Sequence, residues 1–283
     1  MNLPKKYRIN KIIKKRKGII LGGMLVLALI FTGILAPWLA PYDPYRQDLN
    51  NTLAPPDQNH PFGTDNFGRD ILSRVIYGAR VSLLEIFVSV SLSLIIGVPL
   101  GLIAGFFGGR VDQLIMWCLD IIFAFPGILL AILIVSVLGP SLFNMLIAIA
   151  IFSVPVYGRL TRNLTLTIKE LEYVGAAKAL GATNKRIIFR HILKNAFAPL
   201  IVQASLTAGG VILSASSLSF LGLGVQPPIA EWGAMISNGR SFIGIAPHLS
   251  FFPGIAIAIV VLSFNMLGDG LRDLLDPKLK NKI

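Results

Sequence analysis

Apolar residues in this chain fall in long unbroken blocks, not in the alternation of a half-buried strand or the single stripe of a surface helix. Runs free of Lys, Arg, Asp and Glu extend from Gly18 to Tyr42, Ile86 to Gly109, Ile121 to Gly158, Asn195 to about Ala230, and Ser241 to Gly268. A bilayer crossing needs roughly 20 apolar residues, so the block from Ile121 must hold two, divided at the Gly-Pro turn of Leu138 to Ser141. The pattern predicts an all-α polytopic membrane protein with six transmembrane helices, near 18–40, 83–108, 113–137, 142–158, 196–222 and 250–269. The first run is longer than the apolar part of a cleaved leader and ends in Pro37 and Pro41, so it is expected to persist as a span.

Two spans carry polar or small residues at helical spacing. Ser89, Ser93, Gly97, Gly101, Gly105 and Gly109 recur every fourth residue, a spacing that lets helix backbones approach closely where lipid supplies no hydrophobic drive to pack. Gln203, Thr207, Gly210, Ser214 and Ser217 share one face of the fifth span, which either packs on a neighbour or lines a polar route for solute. Lipid exposure of that face would be costly.

Composition agrees with the pattern. The 283 residues are 54% hydrophobic and 14% charged, with a mean hydropathy of +0.72. The formal net charge of +12 is confined between apolar blocks instead of covering one face, which points to membrane topology and not to nucleic acid. Cytoplasmic loops retain Lys and Arg. Placing 1–17, 109–112, 159–195 and 270–283 inside collects 21 of the 26 Lys and Arg there, so both termini are expected in the cytoplasm. The resulting organisation is a basic N-terminus (1–17), a first span (18–40), an extracytoplasmic loop (41–80), a core of five helices (81–270) with a basic hairpin at 165–194, and a tail (271–283).

Catalytic chemistry is not supplied. His60, His191 and His248 lie in different segments, the single Cys118 has no partner, and neither a nucleophile elbow nor a Gly-x-x-x-x-Gly-Lys-Ser/Thr phosphate loop is present. No catalytic or metal site is expected, and transport energy must come from a partner or an ion gradient. Glu85, Asp112, Asp120 and Asp269 are the acids in or beside spans. Asp112 and Asp269 fall at cytoplasmic ends, Glu85 near the outer interface, and only Asp120 deeper, where a helix-to-helix hydrogen bond or ion coupling would engage it.

Between the fourth and fifth spans, Leu171, Val174, Ala177 and Leu180 form a narrow apolar stripe, Gly181 suits a helix end, and Thr183 can cap the helix through Ile187, Ile188 and Ile192. This helix-turn-helix is either a loop held at lipid headgroups by its basic residues or a docking surface for a cytoplasmic protein.

Gly175-Ala176-Ala177, three residues, Gly181, then Leu193 resembles the Glu-Ala-Ala loop of bacterial ABC-importer permeases, with Gly175, His191 and Lys194 in place of its Glu, Ile and Pro. The stretches His60 to Leu83, Phe107 to Pro126, Leu218 to Arg240 and Gly268 to Leu279 resemble, in order, the C-type permease of the dipeptide, oligopeptide and nickel importer family. The resemblance implies a pore-forming subunit in the bacterial cytoplasmic membrane. It also implies a second homologous permease, two ABC ATPases carrying ATP and Mg, and an extracytoplasmic solute-binding protein, with no cofactor on this chain. It places ATPase coupling on Glu172, Gly175, Ala176, Ala177, Leu180, Gly181 and Ala182. Gln203, Thr207, Ser214 and Ser217 are expected along the pathway, and Asp65, Arg69, Asp70, Glu231 and Arg240 in loops that either face the binding protein or order themselves. Peptides are the expected cargo, nickel or a metal chelate the alternative, and a self-sufficient ion-coupled carrier the rival class.

Overall fold

The computed structural model describes residues 5–275, with side chains from Gly18 onward. The side chains of the basic N-terminal segment and the end of the tail, 276–283, lie outside the described residues. In chain order the helices are α1 (Lys5–Ile34), α2 (Ala36–Leu39), α3 (Ile71–Phe107), α4 (Gly109–Phe123), α5 (Gly127–Leu138), α6 (Leu142–Lys169), α7 (Glu172–Ala179), α8 (Asn184–Arg186), α9 (Lys194–Phe220), α10 (Trp232–Gly239) and α11 (His248–Leu275). A π-helical turn, Ile187–Leu193, joins α8 to α9. Among the described residues there is helix and loop but no named strand.

Four helical segments are long and apolar enough to cross a membrane: α3, α6, α8 through α9, and α11. The pair α4 and α5 would make a fifth, but it is bent by 85° where the hydropathy pattern predicts one straight span at 113–137. Pro126 causes the break: it lacks an N–H and disfavours helix at the preceding residue, and its carbonyl starts α5 by accepting from Leu130. The apolar part of α1, Gly18–Ile34, is shorter, because the chain turns into α2 at Ala36-Pro37.

Two helices overrun their expected limits. α3 begins at Ile71, twelve residues before 83, because Asp70 caps it: its carboxylate accepts from the Ser73 amide at 2.7 Å. α6 continues eleven residues beyond 158 to Lys169, whose Nζ donates to the carbonyl of Gly105 at the end of α3. Both overruns carry charges that mark them as loop in the sequence and that find partners in the fold.

The interface of α3 with α6 is the seam predicted from small residues. Ser93 Oγ donates to the Ala150 carbonyl at 3.1 Å. A Cβ on Gly97 would lie 2.7 Å from the Val154 carbonyl, and one on Gly105 would lie 2.7 Å from Thr165 Cβ. Gly109 does not join them; it starts α4 at φ +55° with open space around it. One apolar cluster, including Met145, Ile149, Ile212 and Leu218, fills the half of the bundle near α10. A second, including Leu102, Tyr157, Ile168, Val174, Ile187 and Ile192, fills the half under the hairpin.

Candidate functional site

The hairpin is built by its turn residues. α7 ends at Ala179 with Leu180 as its C-cap, Gly181 takes φ +83°, a conformation natural to glycine, and Thr183 Oγ1 accepts from the Arg186 amide at 3.4 Å. Val174, Ile187 and Ile192 are buried against the ends of α3 and α6. Asn195 Nδ2 donates to Tyr173 Oη at 3.0 Å and to the His191 carbonyl, tying α7 to the start of α9.

The expected apolar stripe divides in two. Val174 faces the bundle and Ala177 is half-buried, but Leu171 is exposed and Leu180, at the tip, is 90% exposed. Glu172, Gly175, Ala176 and Gly181 are open too, with nothing within 4 Å of a Cβ on either glycine; Ala182 is half-buried. Tyr173 and Phe189 add exposed aromatic surface that the motif reading missed; a periodic apolar pattern reports burial without saying whether this chain or another supplies it.

The polar face of α9 is neither fully packed nor fully open. Gln203, Thr207, Ser214 and Ser217 are half-buried, and Gly210 has no neighbour within 4 Å of a Cβ. Gln203 Nε2 donates to Thr207 Oγ1 at 3.2 Å, and Ser217 Oγ returns to the Leu213 carbonyl at 2.7 Å. Gln203 and Thr207 hold each other, and Gly210 and Leu213 between these groups are exposed.

In the loops, burial separates the two readings. Asp65, Arg69, Asp70 and Glu231 are buried and bond inward, as residues that order their own loops do. Asp65 accepts from the Phe67 and Arg69 amides and from Arg69 Nε at 2.7 Å. Asp70 joins His60 Nδ1 at 2.9 Å. Arg74 Nη1 donates to the Pro44 carbonyl at 2.8 Å, and His248 Nε2 lies 3.3 Å from the Thr64 carbonyl, so the segment before α3 is clamped to both α3 and α11.

Glu231 caps α10, its two oxygens accepting from the Gly233 and Ala234 amides at 2.7 Å each. Burial pushes its carboxyl above the ordinary carboxylate value, and those amides pull it partly back. Trp232 is buried, with Nε1 donating to the Val75 carbonyl at 3.0 Å. Only Arg240 of the five loop residues is exposed; its guanidinium lies 5.6 Å from the Phe220 ring centroid.

The acids beside the spans also differ from expectation in one case. Glu85 is fully buried, and neither carboxyl oxygen has a hydrogen-bond partner among the described residues, instead of meeting interfacial water. Asp112 receives Nε and Nη2 of Arg162 on its two oxygens, and Asp120 receives Arg159 Nη2 at 2.6 Å. Asp120 therefore makes the helix-to-helix hydrogen bond expected of it. Arg159 and Arg162 were legible only as charges interrupting an apolar block; their partners, 39 and 50 residues away, were not.

A crossed helical bundle with an exposed apolar hairpin at one end and a clamped loop layer at the other defines a permease architecture. Residues 97–281 match the family described as the binding-protein-dependent transport system inner membrane component. Residues 9–56 match the N-terminal transmembrane domain of oligopeptide transport permease C. Over 271 residues the chain is 52% identical to the dipeptide transport system permease protein DppC of Alkalihalophilus pseudofirmus, covering 96% of this chain and 89% of that one. It is 47% identical over 260 residues to the glutathione transport system permease protein GsiD of Pectobacterium atrosepticum, covering 92% and 86%. Among solved structures, the inward-facing MetNI methionine ABC transporter shares the fold, with a TM-score of 0.61 at 19% identity over 73% of this chain and 98% of that one.

The chain belongs to the binding-protein-dependent transport system inner membrane component family. It is a multi-pass permease of the bacterial inner membrane, of the ABC-importer class to which dipeptide and oligopeptide permeases belong, and such permeases work in complexes with ATPases that use ATP.

Proposed function

We propose that this chain is one of two homologous permease subunits of an importer for di- or oligopeptides, fed by an extracytoplasmic binding protein and driven by two ABC ATPases. It crosses the membrane six times, α1, α3, the bent pair α4–α5, α6, α9 and α11, with both termini in the cytoplasm. It carries no catalytic site of its own. The observation that carries the coupling role is the tip of the hairpin. Leu180, Ala176 and Gly181 are exposed, while Val174, Ile187 and Ile192 fix the hairpin to the ends of α3 and α6. An ATPase gripping that tip would move those helices as a body. The names of the similar permeases, for dipeptides, di- and tripeptides and glutathione, favour a peptide over nickel or a chelate. The pairing of Asp120 with Arg159 argues against an ion-coupled carrier, which would need that acid free.

The test is reconstitution of the chain with its partner permease, ATPases and binding protein in proteoliposomes. ATP-dependent uptake of a labelled dipeptide that stops when any partner is omitted is the expected result. Uptake by this chain alone without ATP would overturn the reading.

A further inference from the structure

Asp120 and Arg159 form the more open of the two ion pairs between α4 and α6. Their side chains are 58% and 38% exposed, whereas those of the neighbouring pair Asp112 and Arg162 are 15% and 28% exposed. Their depth follows from the helix packing. Gly158, next to Arg159, lies against Leu119, next to Asp120, and against the backbone of Gly97 and Gly101 on α3. Gly97 and Gly101 sit in the middle of the uncharged run from Ile86 to Gly109. Arg159 is ten residues before the end of α6 at Lys169, about 15 Å along the helix axis. Charges at that depth do not face lipid; they face a polar cavity or another protein.

The surroundings of the pair favour a cavity that handles solute. The Arg159 guanidinium lies 4.0 Å from the centroid of the exposed Phe123 ring, immediately before the 85° break between α4 and α5. Exposed Asn163 and Thr167 continue from Arg159 at four-residue steps along α6 toward the hairpin end. The result is a polar strip that starts at the charge pair and ends at the hairpin.

We propose that Asp120 and Arg159 form a substrate contact for the two charged ends of a peptide, Arg159 taking the α-carboxylate and Asp120 the α-ammonium. This rests on the peptide-importer reading. Without peptide the two side chains satisfy each other. A zwitterionic peptide replaces one ion pair by two of the same kind, so the pair opens without leaving a charge unmatched. A peptide blocked at one end strands the opposite side chain. Arginine suits the role because its planar fork can meet a carboxylate with two parallel hydrogen bonds, and Phe123 offers the apolar and cation-π surface beside it.

The experiment uses the complete reconstituted importer and compares a dipeptide with its C-amidated and N-acetylated analogues. Each is supplied at a concentration that saturates the binding protein, so that the uptake rate per loaded complex is read. Arg159→Gln should lower uptake of the free dipeptide about tenfold or more and bring its ratio to the amide close to one. Asp120→Asn should do the same for the ratio to the N-acetyl analogue. The exchanged variant, Asp120→Arg with Arg159→Asp, restores an ion pair and should recover the assembled complex on size exclusion and its ATPase activity, but not uptake. Full uptake by the exchanged variant, or unchanged peptide ratios in both single variants, would show a clasp between helices and overturn the proposal. If the unaltered importer moves no peptide at all, the peptide reading itself fails, a result distinct from either of these.

Discussion

Gly101 of α3 lies against Gly158 of α6 so closely that a Cβ on Gly101 would press into the Gly158 carbonyl oxygen. Neither backbone can retreat without opening the seam that runs from Ser89 to Gly105. Gly101→Leu is therefore expected to cost about 3 kcal/mol or more, the upper range for overpacking. A thermal unfolding scan of the purified complex should show a clearly lowered midpoint, and an unchanged midpoint would refute tight packing there.

Two glycines of the hairpin should respond with opposite sign. Gly175 lies inside α7 with open space around it, so Gly175→Ala should firm the helix by about 0.5–1 kcal/mol. Gly181 has the same open space but sits at φ +83°, so Gly181→Ala should cost about 1 kcal/mol in backbone strain. Hydrogen exchange of the α7 amides reads both: slower in the first variant, faster in the second.

Leu180 projects from the tip of the hairpin, 90% exposed. Leu180→Asp should leave insertion and thermal stability within about 0.5 kcal/mol of the parent, the range for surface changes, yet uncouple ATP hydrolysis from uptake or release the ATPases. Co-purification of the ATPases beside uptake separates this from misfolding. Normal uptake in the variant would remove Leu180 from the coupling surface.

Glu85 buries a carboxyl with no hydrogen-bond partner among the described residues. An amide of the same shape has no charge to desolvate, so Glu85→Gln should be neutral or stabilising in a melting experiment. Glu85→Ala leaves a cavity and should cost about 2 kcal/mol or more, as large-to-small core changes do.

The Glu231 carboxyl is raised above its ordinary value of 4.5, chiefly by burial. The folded state thus holds its proton more tightly than the unfolded state does. The stability this contributes is fully present below pH 4.5 and is lost as pH rises through the folded-state value. Melting temperature recorded from about pH 4 upward should fall across that window in the parent chain. Glu231→Gln, which cannot titrate, should show a flatter profile while losing one amide acceptor at a cost of about 1 kcal/mol.

What could be read before the fold was known follows from how far each signal reaches along the chain. The glycine seam, the Gly181 turn and the Thr183 cap are local patterns, and the structure contains them as expected. The start of α3 is hidden because Arg74 and Arg80 mark the stretch as a polar loop, whereas Arg74 is satisfied by Pro44, thirty residues earlier. For Asp65 and Glu231 the sequence leaves open whether the loops face a partner or order themselves, because most of their partners are backbone amides, which no side-chain pattern announces. Leu171, Val174, Ala177 and Leu180 share one apolar stripe in the sequence but not one environment in the fold, because periodicity alone does not tell a buried position such as Val174 from an exposed one such as Leu180.

The two ends of the chain interlock through glycines in both directions. A Cβ on Gly22 of α1 would lie 2.7 Å from the Leu267 amide of α11, and Gly270 of α11 in turn leaves room for Ile19 of α1. Helix α1 therefore has a close seat on a helix made long after it. During synthesis α1 can meet α3 early, at Gly33 against Ala79 and Leu83, but its seat on α11 stays empty until residue 270 has been made. A chain cut short before residue 267 would strand that helix, and the defect would appear as a failure of final closure rather than of insertion.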